Sequence, residues 1–211
     1  MKGMQIIVFG DSIVRGASDR KNGGWVQLLK SYVENKSDFN DTVYNLGSGG
    51  DSSSDILERF EQELKHRSKR ADKNIVIVSV GVNDSYYFEE DEKKTNVSEA
   101  QYQKNPKKLI AIARKYTKSV FFIGLLPVDN ARVQPIPWHK EVSYSYENCE
   151  KYNELAKEVC RKENVAFLDI FGFLVKTNYK KLLADGVHPN SAGHRKIFGL
   201  VLNFLKRNRV L

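Results

Sequence analysis

Ser12, Asp185 and His188 are side chains whose types could together carry out nucleophilic acyl transfer. A serine hydroxyl is a weak nucleophile until a histidine accepts its proton, and the histidine works best when a carboxylate fixes its tautomer. Taken alone, Ser12 in Gly-Asp-Ser is more typical of a helix cap or a turn, and His188 could be a structural histidine. Asp185 and His188 are close enough in the chain for one turn to bring the carboxylate to the imidazole Nδ1. The combination therefore predicts a catalytic triad.

Three further groups could donate the hydrogen bonds that a tetrahedral oxyanion needs. They are the backbone N–H of Ser12, the backbone N–H of Gly50 and the side-chain amide of Asn83, each in a short polar cluster. The glycine-rich stretch 45–52 (NLGSGGDS) lacks the Lys-Ser/Thr ending of a nucleotide P-loop and the spacing of a dinucleotide-binding motif. The GxSxG nucleophile elbow of the α/β-hydrolases is also absent.

The elements that must position these residues are short apolar runs alternating with amphipathic segments. The runs are rich in Val, Ile and Phe without clean alternation, which predicts strands buried on both faces. Predicted strands cover 4–9, 42–46, 75–80, 120–126 and 165–170, and helical spacing recurs in 25–33, 56–64, 109–116 and 197–205. This alternation predicts an α/β fold with a central, mostly parallel five-stranded sheet. At 211 residues without a low-complexity linker, residues 1–211 are expected to form one domain.

Two long polar connections, residues 85–103 and 127–146, interrupt the alternation and follow strands. Both should therefore lie over the carboxyl edge of the sheet, where open α/β folds bind ligands. Six residues are candidates for contacting a substrate: Asp11, Asp84, Tyr86, Tyr87, Trp138 and Tyr144. The aromatic members could equally pin the loops to the body of the protein.

Composition and sequence pattern argue against a nucleic-acid-binding, a disulfide-bonded, a secreted or a membrane-spanning protein. The net charge of +8 suggests nucleic-acid binding, but the basic residues are dispersed and interleaved with acidic ones, as on a solvated surface. Cys149 and Cys160 would lie about 16 Å apart along one helix, too far to form a disulfide. The N-terminus has no signal-peptide pattern and no window is long enough to span a membrane. A cytoplasmic protein without stable membrane insertion is expected.

Four short blocks together resemble the SGNH hydrolases, also called the GDSL esterase/lipase family. The family's four characteristic residues correspond to Ser12 in GDS, Gly50 in NLGSGGDS, Asn83 in GVND and His188 in DGVHP, in the family's order. Ile13 replaces the common leucine of GDSL. Gly47 and Gly49 compete with Gly50 for the donor position, and Gly50 is preferred because it precedes an Asp-Ser pair at the usual distance from the asparagine.

The resemblance implies a flavodoxin-like three-layer α/β/α sandwich that hydrolyses ester or thioester bonds without a metal or other cofactor. Ser12 would be the nucleophile, His188 the base and then the acid, and Asp185 the group that orients His188. Ser12, Gly50 and Asn83 would form the oxyanion hole. The four histidines show no metal-ligand spacing, which agrees with this expectation.

The expected partner is a small-molecule ester and not a nucleic acid, and the sequence leaves the oligomeric state open. The aromatic and polar loop composition favours short-acyl or acetyl esters of small polar alcohols or sugars. Three alternatives stay open: a lysophospholipase or thioesterase acting on longer acyl chains, an acyltransferase with the same triad, and a non-catalytic binding module on the same fold.

Overall fold

The computed structural model describes residues 3–38, 40–68 and 73–211. The strands are β1 (Met4–Gly10), β2 (Thr42–Gly47), β3 (Lys73–Ser79), β4 (Tyr87–Phe88), β5 (Asp91–Thr95), β6 (Ser119–Ile123), β7 (Val142–Ser143) and β8 (Ala166–Leu168). The α-helices are α1 (Ser12–Arg15), α2 (Gly24–Lys36), α3 (Ser53–Arg67), α4 (Val82–Ser85), α5 (Glu99–Ala113), α6 (Asn130–Val133), α7 (Tyr146–Lys162), α8 (Ile170–Leu174) and α9 (Ser191–Arg207). A 3₁₀-helix spans Tyr179–Leu182.

The central sheet has five strands in the order β2-β1-β3-β6-β8, and every neighbouring pair is parallel. This confirms the predicted flavodoxin-like sheet. In register, Gly10 at the end of β1 lies opposite Gly47 of β2 and Ser79 of β3. The chain leaves three neighbouring strands at one level, and the strand order reverses at β1. Ligands of open α/β sheets bind in the crevice at such a reversal.

Two layers of helices cover the sheet, one on each face. Alternate strand residues such as Ile6 and Val8 belong to one apolar cluster with residues of α2 and α9. The intervening residues, Ile7 and Phe9, belong to a second cluster with residues of α3, α5 and α7. Because side chains alternate across a strand, both faces of these strands are apolar, as the uninterrupted runs predict. The three-layer sandwich follows from that composition.

The two long connections are more ordered than the sequence predicts. In the first, residues 85–103, the chain forms β4 and β5 and begins α5 at Glu99, well before the predicted helical pattern at Leu109. Pro106 lies inside α5, and a proline in a helix interior is the feature that argues against a helix there. The second connection, 127–146, contributes β7, which pairs antiparallel with β4. Both connections therefore contain short regular elements that the sequence analysis did not predict.

Cys149 and Cys160 lie within α7, and both are free and buried, which confirms that they do not pair with each other. Within the described ranges, no helix is both long and apolar enough to cross a bilayer.

Candidate active site

Ser12 begins α1, immediately after the chain leaves the carboxyl end of β1. The turn needs glycine at Gly10, because a Cβ there would lie 2.4 Å from the Ser79 carbonyl oxygen. Asp11 caps the short helix, and its Oδ1 accepts a 2.8 Å hydrogen bond from the Ile13 N–H. The Ser12 N–H lies in the first helical turn, where backbone donors have no acceptor within the helix. One residue thus offers both a hydroxyl and an N–H at the sheet edge.

Asp185 and His188 lie in the turn before α9, where Gly186 adopts a φ of +102°. Asp185 Oδ1 accepts hydrogen bonds from the backbone N–H groups of Val187 (3.0 Å) and His188 (2.8 Å). Asp185 Oδ2 lies 2.7 Å from His188 Nδ1, and His188 Nε2 lies 2.9 Å from Ser12 Oγ. The structure therefore joins the three predicted triad residues in one hydrogen-bonded chain, across a sequence separation of 176 residues.

The charge state of Asp185 fixes the direction of these hydrogen bonds. Burial raises the pKa of its carboxyl, but hydrogen bonds from the side chain and backbone of His188 and from the Val187 N–H lower the pKa further, to about 2. The ionised carboxylate can only accept, so the His188 proton resides on Nδ1 and the Nε2 lone pair faces the Ser12 hydroxyl. This arrangement can remove a proton from Ser12.

Gly47 ends β2, and Gly49 and Gly50 follow it; within the described ranges neither the Gly49 nor the Gly50 N–H has a hydrogen-bond acceptor, whereas the Gly47 N–H has one. The Gly47 N–H donates a 3.0 Å hydrogen bond to Asn45 Oδ1, which removes Gly47 from the competition for the oxyanion donor. Gly49 lies beneath the Arg15 guanidinium, whose Cζ would be 3.4 Å from a Cβ at that position. Gly50 has a φ of +85°, and its N–H has no hydrogen-bond acceptor in the described part of the chain. The role of Gly50 stays a prediction that this conformation permits.

Asn83 lies in α4, which begins just after β3, and its side chain is buried. Its Nδ2 donates a 3.0 Å hydrogen bond to the Asp51 carbonyl oxygen, one residue beyond Gly50. Because a carbonyl oxygen only accepts, this contact fixes which end of the amide is nitrogen. Tyr144 donates a 2.7 Å hydrogen bond to the amide oxygen. The Asn83 amide is thereby tied to the loop that carries Gly50.

Arg59, on α3, supports the same loop, and the sequence analysis did not single it out. Its Nε and Nη2 lie 3.0 and 2.7 Å from Asp51 Oδ2. Nη2 also donates a 2.9 Å hydrogen bond to the Leu46 carbonyl oxygen near the end of β2. A charged residue on an amphipathic helix is ordinarily expected to face solvent, so no local pattern indicated this contact.

A model of the GDSL-like Lipase/Acylhydrolase family matches residues 8–196, a range that includes all of these site residues. The chain belongs to this family. It is accordingly an enzyme of the GDSL type that hydrolyses ester bonds. A comparison with the curated proteins finds no significant match.

Solved structures share the fold of this GDSL-family chain at low sequence identity. A lipase/acylhydrolase from Enterococcus faecalis is 22% identical, with a TM-score of 0.76 and coverage of 97% of this chain and 96% of that one. An acetylxylan esterase from Geobacillus stearothermophilus is 21% identical, with a TM-score of 0.74 and coverage of 97% and 96%. A member of the lipolytic G-D-S-L family from Veillonella parvula is 20% identical, with a TM-score of 0.74 and coverage of 97% and 100%.

Two of the six residues predicted to contact substrate, Asp11 and Asp84, are buried in the interior of this GDSL-family protein. Both carboxyls are buried, and Asp84 is 0% exposed. Asp84 accepts hydrogen bonds from the backbone N–H and the hydroxyl of Ser53. Burial raises the pKa of Asp84 to about 7 and that of Asp11 to about 6, although hydrogen bonds oppose both shifts. The fully buried Asp84 carboxyl cannot touch a substrate, so that prediction is corrected: Asp84 joins the loops after β2 and β3.

The four aromatic candidates divide by their exposure. Trp138 is 53% exposed, and its ring centroid lies 5.8 Å from that of His188. Tyr86 and Tyr87 are half-buried, and Tyr86 packs edge-on against Tyr144 with centroids 5.8 Å apart. Tyr144 is buried to about the same extent as Ser12 and Asn83, and its hydroxyl donates to Asn83 Oδ1. Contact of Tyr144 with a substrate stays a prediction. Trp138 is the candidate that lies beside the triad.

His194 shows what a structural histidine looks like in the same protein. It is fully buried in α9, its Nδ1 accepts a hydrogen bond from the Trp25 N–H, and its Nε2 donates one to the Ala17 carbonyl oxygen. Burial lowers the pKa of its imidazole. Both nitrogens are occupied by backbone groups, which leaves neither free for proton transfer. Over the described ranges, no cluster of three or more His, Cys, Asp or Glu side chains could hold a metal ion.

Proposed function

We propose that this GDSL-family enzyme hydrolyses short-acyl esters of small polar alcohols or sugars through Ser12, His188 and Asp185. The observation that carries the proposal is the hydrogen-bonded chain from Ser12 Oγ through the imidazole to the Asp185 carboxylate. A nucleophile, a base and a group that orients the base are the parts that covalent ester hydrolysis requires.

In the proposed first half-reaction, Ser12 Oγ attacks the ester carbonyl carbon while His188 Nε2 accepts the hydroxyl proton. The tetrahedral intermediate then collapses: the bond to the alcohol oxygen breaks, and the imidazolium returns the proton to that oxygen. The acyl group remains on Ser12. Asp185 stays ionised throughout and stabilises the imidazolium, in agreement with its lowered pKa.

In the second half-reaction, water attacks the acyl-enzyme and His188 accepts a water proton. Collapse of the second tetrahedral intermediate releases the carboxylic acid and returns the proton to Ser12 Oγ. In both halves the negative charge on the carbonyl oxygen would be met by the N–H groups of Ser12 and Gly50 and by the Asn83 amide. Fixed donors of this kind stabilise charge that develops only in the transition state.

The choice of a short acyl group and a polar alcohol rests on the surroundings of His188. Trp138 presents an exposed aromatic face beside the imidazole, which suits a sugar ring or another small polar alcohol. One structural neighbour is an acetylxylan esterase. In that esterase, replacement of one serine or of one aspartate by alanine gives a catalytic mutant, which supports a serine–aspartate mechanism on this fold.

A series of p-nitrophenyl esters with increasing acyl length, assayed with wild type and Ser12→Ala, tests the proposal. Wild type should turn over the acetyl ester best, and Ser12→Ala should lose activity by about 10⁴-fold or more. Ser37→Ala, which removes a hydroxyl at the end of α2, serves as the matched control and should retain activity.

Each part of the proposal fails on a different result. Turnover that survives Ser12→Ala would exclude the nucleophile, whereas a preference for long acyl chains would exclude only the short-acyl assignment. Acetylated sugars and simple alkyl acetates should then be compared at equal concentration. Faster transfer of the acetyl group to an added alcohol than to water would reassign the enzyme to acyl transfer.

A further inference from the structure

Tyr144 contacts the Asn83 amide from the protein interior. Its side chain is 6% exposed, and its hydroxyl donates a 2.7 Å hydrogen bond to Asn83 Oδ1. At the other end of the amide, one N–H donates to the Asp51 carbonyl oxygen at 3.0 Å. The second N–H of Asn83 has no acceptor among the residues that the structure describes. Two contacts therefore fix the amide plane and leave one donor available.

The position of the Tyr144 hydroxyl is itself fixed by its backbone and ring. The backbone N–H of Tyr144 donates a 3.1 Å hydrogen bond to the Val133 carbonyl oxygen. Tyr144 directly follows β7, which pairs with β4. The Tyr86 ring packs against the Tyr144 ring at an interplanar angle of 79°. The three-stranded sheet β5-β4-β7 and the Tyr86 ring therefore restrain the hydroxyl, which can act as a rigid support.

The protonation state of Tyr144 also suits a permanent donor. Burial, reinforced by the negative charge of Asp11, raises the pKa of its phenol well above the ordinary value. The hydroxyl therefore keeps its proton at any pH at which an ester hydrolase works. A donor to an amide oxygen draws electron density from the amide nitrogen, which strengthens the hydrogen bonds that this nitrogen donates.

We propose that Tyr144 is a positioning residue for the oxyanion hole: its hydroxyl orients and polarises the Asn83 amide. The inference rests on the proposed function, in which the free N–H of Asn83 binds the oxyanion. A better oriented and more polar N–H stabilises the transition state more than the bound ester, because the negative charge is present only in the former. Loss of the hydroxyl should consequently lower kcat and leave KM nearly unchanged.

Tyr144→Phe removes this one hydroxyl while retaining the buried ring. Removal of an entire oxyanion donor costs about 10²- to 10³-fold in kcat, so a weakened donor should cost about 10-fold. Tyr152→Phe is the matched control, because that tyrosine is also buried and its hydroxyl also donates a hydrogen bond, in its case to the Val97 carbonyl oxygen and not to Asn83. Both variants should lower the midpoint of thermal unfolding by similar amounts, and only Tyr144→Phe should lower kcat.

A double-mutant cycle separates positioning from general destabilisation. In an Asn83→Ala background, Tyr144→Phe should have little further effect on kcat, since the amide that it supports is gone. A short-chain alkylboronic acid, which forms a tetrahedral adduct with a serine hydroxyl, should bind Tyr144→Phe less tightly by about the same factor as kcat falls.

Two results would overturn the inference in different ways. If Asn83→Ala leaves kcat unchanged, the proposed oxyanion role of Asn83 fails, and the role of Tyr144 fails with it. If Asn83→Ala lowers kcat but Tyr144→Phe matches Tyr152→Phe, the proposed function stands and Tyr144 is purely structural. Equal losses from Tyr144→Phe in the wild-type and Asn83→Ala backgrounds would likewise show that the hydroxyl does not act through the amide.

Discussion

The two sides of the candidate site are held in different ways. On the acid–base side, Ser12, Asp185 and His188 are held largely by each other, and the side chains of His188 and Asp185 are 17% and 31% exposed. On the amide side, Asn83 is 5% exposed and is held by groups that do not themselves touch the reacting atoms, including Tyr144. The proposed base and its carboxylate stay partly accessible, whereas the amide, like the buried Ser12, is enclosed by its surroundings.

This difference follows from what each side is proposed to do. A base must reach the substrate and water, so His188 keeps one face near solvent and takes its orientation from a single carboxylate. An oxyanion donor does not react, and it is most effective when it needs no reorganisation as charge develops. Asn83 meets this requirement because it is buried and because its oxygen and one of its N–H groups have fixed hydrogen-bond partners.

The largest effect on the acid–base side, apart from loss of Ser12 or of His188 itself, is expected from Asp185→Asn. The neutral amide would neither stabilise the imidazolium nor enforce the Nδ1–H tautomer, and kcat should fall by about 10⁴-fold. Steady-state kinetics with p-nitrophenyl acetate would measure this, with circular dichroism to verify the fold. A fall smaller than that caused by Asn83→Ala would break the comparison, because it would make the amide side the more important one.

Asn83→Ala should produce the next largest effect, on the amide side. It removes one proposed donor to the oxyanion, so kcat should fall by about 10²- to 10³-fold while KM changes little. Asn153→Ala is the matched control: this asparagine is also buried, and it accepts a hydrogen bond from the Leu125 N–H in a different part of the fold. If the control lost as much activity as Asn83→Ala, the loss would reflect folding and not the oxyanion.

The sequence predicts the acid–base side better than the amide side, for a physical reason. Ser12, Asp185 and His188 are residue types with few common uses in combination, and each lies next to a readable strand or helix. Arg59 and Tyr144 act through contacts that join segments far apart in the chain, namely Arg59 to Leu46 and Tyr144 to Asn83. No local spacing encodes such a contact, so the supports of the amide were invisible until the fold was known.

The secondary-structure elements also divide into those that the local sequence predicts and those that depend on contacts with distant segments. The five central strands are apolar runs and were all predicted, but β5 has the sequence DEKKT and is largely exposed. Such a strand exists because β4 offers it backbone partners, and not because its side chains favour burial. The first turns of α5 were missed for a related reason, since Pro106 has no helix-forming tendency of its own and lies inside a helix whose buried face packs on the domain.

The smallest expected effect is on the pH dependence of stability, and it comes from the buried carboxyl of Asp84, the residue that follows Asn83 in α4. The pKa of Asp84 rises from 3.8 in its ordinary state to about 7 in the fold, because the buried site disfavours the charged form. Between these values the folded protein holds a proton that the unfolded chain has lost, so the free energy of unfolding should fall as the pH rises from about 4 to 7. Asp185 has the opposite sign: its lowered pKa contributes stability above pH 4 that is lost only as the pH falls toward 2.

Asp84→Asn should flatten the pH dependence of stability between pH 4 and 7, measured by urea unfolding at several pH values. Some slope should persist, because burial also raises the pKa of Asp11, to about 6. Titration of the Asp84 carboxyl carbon by NMR in the wild type gives a reading that needs no variant, and its midpoint should lie near pH 7. A midpoint near 4, or an unchanged slope in Asp84→Asn, would mean that the hydrogen bonds from Ser53 fully offset the effect of burial on the pKa of Asp84. Burial of the carboxyl next to Asn83 would then not destabilise the fold at neutral pH. The two sides of the site would differ only in the exposure of their side chains.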